Sequence, residues 1–167
     1  MRNSVLRRRC ERRLRHLPIP DPFVLEIFCE RLAQSRGRPL TLHAMPPLGL
    51  HSPNGVWVAT ASADHIFVDE GARALHREHI VLHEIGHMVA EHNSGSVLSP
   101  ADTEALLPDL DRAMVARVLG RTRYSLEEER EAELMATLIA QRAGRPTMPD
   151  ADPELEALRS RLRSVLG

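Results

Sequence analysis

Two histidines stand four positions apart in the run His83-Glu84-Ile85-Gly86-His87. An α-helix rises about 1.5 Å per residue and turns every ~3.6, so positions i and i+4 share a face about 6 Å apart, and two imidazoles placed there can converge on one ion. Glu84 follows the first histidine and points roughly 100° around the helix, toward a water on that ion rather than toward the ion itself. The pattern therefore requires a helix here. It also requires another segment to come across and complete the site, because a catalytic zinc takes three protein ligands and keeps one position open.

The flanks agree with a buried helix over 74–92. Ile80, Val81, Ile85, Met88 and Val89 supply apolar faces, and no proline interrupts them. Gly86 costs about 1 kcal/mol in a helix interior relative to Ala, which points to a second backbone packed closely against it. His76 and His79 lie on the His83 face but one and two turns too far along to share an ion, and are expected to be solvated. His92, at the helix end, is expected to favour the helix dipole as an imidazolium.

The 167 residues fit one compact unit with peripheral helices. With aromatics at 3%, the core must be built from Leu, Val, Ile, Ala and Met. The chain has no Lys, and its 22 basic residues are all Arg. Residues 1–16 carry seven of these against one Glu, a basic arm in a chain of net charge -1. Such an arm either meets nucleic acid or an acidic partner, or is a helix docked on the protein's own acidic surface. The second is the expectation, so direct contact with nucleic acid is not expected. Two cysteines, Cys10 and Cys29, are too few for a disulfide framework or a Cys-rich zinc knuckle, and are expected to be reduced thiols in the cytoplasm. No apolar run follows the basic residues as a secretory signal requires, and none reaches the ~18 residues of a membrane span.

Along the chain, 4–16 reads as an Arg-rich helix and Leu17-Pro18-Ile19-Pro20 as an extended link. Asp21-Pro22 reads as N-cap and first position of a helix with Val24, Ile27, Phe28 and Leu32 on one stripe and Gly37 as its stop. Pro39 to Ala44 alternates as a strand, and Met45 to Asn54 is a loop with three prolines. The β-rich runs 55–60 and 64–69, separated by Ala61-Ser62-Ala63, fit a hairpin. The strand at 66–69, if it is a sheet edge, could pair with an extended substrate. After the polar break Asn93-Ser94-Gly95-Ser96 come helical patterns at 100–107 and from Asp111 to Leu119. Ser125 with Glu128 forms a capping box for a helix to Ala143, with Gly144 and Pro146 beyond, and a last helix covers 153–166. The expected class is α+β, about three strands in an antiparallel or mixed sheet against the 74–92 helix and several others. The expected organisation is an arm over 1–20, a central domain over 21–145 and a C-terminal helix over 146–167.

The acidic run Glu127-Glu128-Glu129-Arg130-Glu131-Ala132-Glu133 opens the capped helix. Favourable interaction with a helix N-terminus explains Glu127 and Glu128. It explains Glu129 and Glu133 less well, an i,i+4 pair flanked by Ala132, Leu134, Ala136 and Thr137, whose small or apolar side chains permit close helix packing. A third ligand from this run is the simplest completion of the site.

The pentapeptide together with Glu129-Arg130-Glu131-Ala132-Glu133-Leu134-Met135-Ala136 resembles the ImmA/IrrE-like zinc metallopeptidases, cytosolic proteins of bacteria and phages, over roughly residues 20–143. The second segment looks like that family's E-x-E-A-[ND]-x-F-A signature, with Glu133 in place of Asn or Asp and Met135 in place of Phe. The resemblance implies a zincin-like fold and a Zn²⁺ ion held by His83, His87 and Glu129, with Glu131 as the alternative third ligand. It also implies a peptidase whose substrate is a transcriptional repressor or antitoxin. Leu119-Gly120-Arg121-Thr122-Arg123-Tyr124-Ser125 looks like an actinobacterial branch found near helix-turn-helix regulators and labelled toxin or regulator component.

In such a site Glu84 takes a proton from water, hydroxide attacks the peptide carbonyl, and Glu84 returns the proton to the leaving amine. Tyr124, just before the ligand helix, is the candidate donor to the oxyanion; its other role is packing at a helix start. The competing reading is a non-proteolytic toxin or regulator module that keeps the zinc fold and binds a helix-turn-helix partner. A DNA-binding role would rest on the arm alone and lacks a recognition-helix motif.

Overall fold

In a computed structural model, which describes residues 2–45, 54–59, 62–92 and 124–147, Leu40–Met45 (β1), Gly55–Ala59 (β2) and Asp64–Asp69 (β3) form one mixed sheet in the order β1-β3-β2. The hairpin read from the sequence joins β2 to β3 antiparallel, with Ala59 opposite Asp64 and Gly55 opposite Val68. β1 joins the other side of β3 in parallel, Leu40 opposite Asp64. β3 is thus the central strand. Its five buried positions from Asp64 to Val68 are the near-continuous burial of a strand covered on both faces. The strand at 66–69 is therefore not a sheet edge and cannot pair with a substrate, since both sides of β3 are already hydrogen-bonded.

Around the sheet stand Arg2–Arg13 (α1), continued by a 3₁₀ turn at Leu14–His16, Leu25–Arg36 (α2), Ala74–Ala90 (α3) and Leu126–Arg142 (α4). The described part is α+β, with four helices and three strands. The expected helices at 100–107, Asp111–Leu119 and 153–166, most of the Met45–Asn54 loop and the 93–96 break lie outside the described residues. No helix among the described residues is long and apolar enough to cross a membrane.

α2 begins at Leu25, not at Pro22 as its sequence implied; Val24 is its extended N-cap and gives no side-chain hydrogen bond. The reason is apolar. Phe23 packs on Phe28 with ring centroids 5.8 Å apart, the hydrophobic staple between N′ and N4 that fixes where the chain enters a helix. Gly37 ends α2 at φ 67, with Gly37 N–H donating to Gln34 O and Arg38 N–H to Ala33 O.

One core joins these elements. Cys10 of α1 and Leu14 of the turn that continues it, Phe28 and Leu32 of α2, Ile66 of β3, Val81, Ile85 and Met88 of α3, and Met135 and Ile139 of α4 are all at most 1% exposed in a single cluster. At the hairpin's turn end the buried Asp64 carboxylate accepts from Trp57 Nε1 at 3.1 Å and pairs with Arg36 at 3.1 Å and Arg38 at 3.0 Å, tying the sheet to the end of α2.

Candidate metal centre

α3 and α4 touch backbone to backbone. A Cβ on Gly86 would lie 2.8 Å from Ala132 O and 3.0 Å from Ala132 Cα, so only glycine permits this approach. α4 is started for it by the expected capping box: Glu128 N–H donates to Ser125 Oγ at 3.2 Å and Ser125 N–H to the Glu128 carboxylate at 2.7 Å. Glu129, about one turn before Ala132, then reaches across to α3.

His83, His87 and Glu129 form a group whose donor atoms could hold one metal ion. His83 Nε2 lies 3.0 Å from His87 Nε2 and 3.2 Å from Glu129 Oε2, and His87 Nε2 lies 3.7 Å from the same oxygen. Bonds of about 2.0–2.1 Å in a tetrahedral arrangement place ligand atoms about 3.3 Å apart, so the spacing and the N,N,O donor set suit zinc.

Each imidazole is fixed through its second nitrogen, which is what a ligand histidine requires. His83 Nδ1 contacts Glu133 Oε2 at 3.2 Å; His87 Nδ1 contacts His92 Nδ1 at 2.9 Å. Glu133 also receives His79 Nε2 at 3.1 Å, so His79 is not the solvated residue expected: Glu133 sits between the successive turns that carry His79 and His83. His92 stands at the end of the helix as expected, with its ring between His87 and Glu131. α3 ends at Ala90, Glu91 adopts a left-handed conformation at φ 56, and His92 N–H donates to His87 O at 3.1 Å. This turn folds His92 back under the helix, where it is 6% exposed.

Glu131 does not join the group. Its carboxylate is taken by Arg9 at 3.0 and 2.7 Å, by Arg13 at 3.5 Å and by His92 Nε2 at 3.3 Å, on the far side of α4 from Glu129. Periodicity alone separates the two, since residues two apart on a helix point about 160° away from each other.

The charges of the group are strongly coupled. Burial disfavours the imidazolium of His83, but hydrogen bonds to Glu129 and Glu133 and the charge of Glu84 outweigh it and raise its pKa to about 10. Burial lowers that of His87 to about 4, with the charge of His83 adding to the effect. Against burial, the hydrogen bond from His83 and the nearness of the His87 ring hold Glu129 well below the usual carboxylate range, and hydrogen bonds from His79 and His83 bring Glu133 to about 2. Two ionised carboxylates thus face the imidazoles, an environment that favours a cation. Glu84, 6% exposed, is raised by burial to about 7, with the charge of His83 and the Trp57 amide opposing the rise. Its Oε2 accepts from Trp57 N–H of the outer strand β2 at 2.9 Å.

The Tyr124 ring stacks on His87, centroids 3.6 Å apart and planes 15° from parallel, and its hydroxyl is buried. His76 stays outside the group. Sequence reasoning missed His92 and Glu131 as supports of a ligand. A hint for Glu131 existed, a carboxylate on the opposite face of its helix from Glu129 in a chain with a basic arm; His92 is i+5 from His87 and reaches it only through the turn at Glu91. Comparison of the chain with protein families, with curated proteins and with solved structures finds no match.

Proposed function

We propose that the protein is a zinc-dependent endopeptidase with a zincin-like fold, of the ImmA/IrrE-like kind that its motifs resemble, acting in the cytoplasm on a regulatory protein such as a repressor or antitoxin. The observation that carries this reading is the convergence of His83, His87 and Glu129 beside the buried Glu84, which follows His83 on α3 and is held by the Trp57 amide.

Zinc, when bound, supplies Lewis acidity toward a carbonyl oxygen and lowers the pKa of a bound water toward ~7. His83, His87 and Glu129 would hold it. Glu84 accepts a proton from the attacking water, kept in line by the Trp57 amide, and donates it to the departing amine as the peptide C–N bond breaks. Tyr124, stacked on the face of His87, is the candidate hydroxyl for the developing oxyanion. β2, the outer strand beside Glu84, offers main-chain groups along which an extended substrate can lie.

The test is metal content followed by cleavage. The wild-type protein should carry one equivalent of zinc, lost in His83→Ala and Glu129→Ala. Glu84→Gln should keep the ion and fail to cleave a co-expressed helix-turn-helix repressor. Cleavage persisting in Glu84→Gln would refute the assignment of the base. Tyr124→Phe should retain zinc and lose roughly 10²-fold in kcat if its hydroxyl meets the oxyanion.

A further inference from the structure

The contacts of His87 continue well beyond the ion-binding group. His87 Nδ1 meets His92 Nδ1 at 2.9 Å, His92 Nε2 meets Glu131 Oε2 at 3.3 Å, and the Glu131 carboxylate is held in a fork by Arg9, Nε to Oε1 at 3.0 Å and Nη2 to Oε2 at 2.7 Å. Arg13 adds a contact of 3.5 Å. We propose that His92 is a positioning residue for the metal centre and that α1, through Arg9 and Arg13 on Glu131, is a working part of that centre. This rests on the reading that an ion sits among His83, His87 and Glu129.

The direction of the hydrogen bonds supports it. His87 offers Nε2 to the group, so its proton is on Nδ1 and is donated to His92 Nδ1. His92 then carries its own proton on Nε2 and donates it to Glu131, whose charge Arg9 and Arg13 balance. Every donor meets an acceptor, and each ring has one tautomer. Without Glu131 to accept from Nε2, the His92 ring could turn an N–H toward the N–H of His87 and set two donors against each other.

Two further observations show that the arrangement is built. Glu91 holds a left-handed conformation, which costs a residue other than glycine about 1 kcal/mol, and that turn is what carries His92 under His87. Glu131 is 4% exposed, and a buried carboxylate of this kind needs its cationic partners. Those partners come from 118 to 122 residues away in sequence and are held in place by Cys10 and Leu14, both fully buried.

Zinc affinity, measured by competition with a chromophoric chelator, and the visible spectrum of the Co²⁺-substituted protein test this without any assay of cleavage. His92→Ala and Glu131→Gln should each weaken zinc binding 10- to 100-fold and alter the Co²⁺ bands, with the helix content of the metal-free protein kept. His92→Gln, which can still accept from His87, should recover part of the affinity. Should either buried variant fail to fold, Arg9→Met, at a side chain 38% exposed, probes the same contacts and should weaken binding several-fold. Wild-type zinc affinity in Glu131→Gln, with only a lower melting temperature, would make the chain of contacts mere glue between α1 and α4 and overturn the inference. That result leaves the peptidase reading intact if His83→Ala still loses its zinc, whereas a wild-type protein that binds no zinc overturns both.

Discussion

His83 and His87 stand one turn apart on α3, yet they are held by different means. His83, with a side chain 21% exposed, leans on Glu133, which belongs to the helix that also supplies Glu129. His87, with a side chain 1% exposed, leans on His92, then on Glu131, then on two arginines of the first helix, and Tyr124 covers its face. One ligand is oriented within a two-helix unit. The other is oriented only when α1 has packed against α4, so that side of the site depends on the docking of α1.

Removing each ligand exposes the difference most strongly. His83→Ala and His87→Ala should both abolish stoichiometric zinc binding, but their metal-free forms should differ. Glu129 and Glu133, with side chains 45% and 32% exposed, can turn to water when His83 is gone, so thermal unfolding should shift by under about 1 kcal/mol. His92 cannot, and loss of its buried partner in His87→Ala should cost about 1–3 kcal/mol in urea unfolding. Equal stabilities would mean that the His87 side is no more tightly built than the other.

Gly86 serves both histidines alike, which makes it the control. Gly86→Ala gains helix propensity of about 1 kcal/mol. Its methyl group must displace the Ala132 backbone, an overpacking cost of about 1–3 kcal/mol that also pushes Glu129 away from both imidazoles. The expected outcome is a net loss of stability with weaker zinc binding, read by urea unfolding and chelator competition.

What could be read from the residues divides along the same line. The His83–His87 spacing, the glycine that marks a close approach and the Ser125–Glu128 cap are local regularities, governed by helix geometry over a few positions. The attachment of Arg9 to Glu131 is not, because any of seven N-terminal arginines could pair with any carboxylate until Cys10 and Leu14 fix the face of α1. The position of β3 between its neighbours depends on a parallel pairing with β1 that no turn dictates. α2 was misplaced because Asp-Pro is a strong polar start signal, whereas the apolar pair Phe23 and Phe28 set the start instead. The contact of His92 with His87 is not legible in the sequence because the turn beneath it uses Glu91, not the glycine that announces such a turn.

Independence of the two supports is itself measurable. Glu133→Gln and Arg9→Met should each weaken zinc binding, and their effects should add to within about 0.5 kcal/mol, since Glu133 and Arg9 share no partner. Arg9→Met combined with Glu131→Gln should not add, because the second change removes what the first acts on. Strong coupling between Glu133 and Arg9 would instead make the group a single network.

The smallest effect uses the two thiols as reporters of α1. Burial, reinforced by the charge of Glu131 and opposed by Arg9 and Arg13, raises the Cys10 thiol to about 11; burial and Glu26 raise Cys29 to about 12. A raised pKa keeps the neutral thiol to higher pH, so at pH 7 to 9 both hold less of the reactive thiolate than a free cysteine does. Iodoacetamide should therefore label neither in the wild-type protein across that range, as followed by mass spectrometry. In Arg9→Met the anchor of α1 is weakened, and Cys10, whose Sγ touches Glu131 O at 3.9 Å, should be labelled first, faster as pH rises, while the rate at Cys29 of α2 stays as in the wild-type protein. Labelling of both cysteines at one common rate would mean that α1 never opens alone, and that the support of His87 is as inseparable from the core as the helix carrying it.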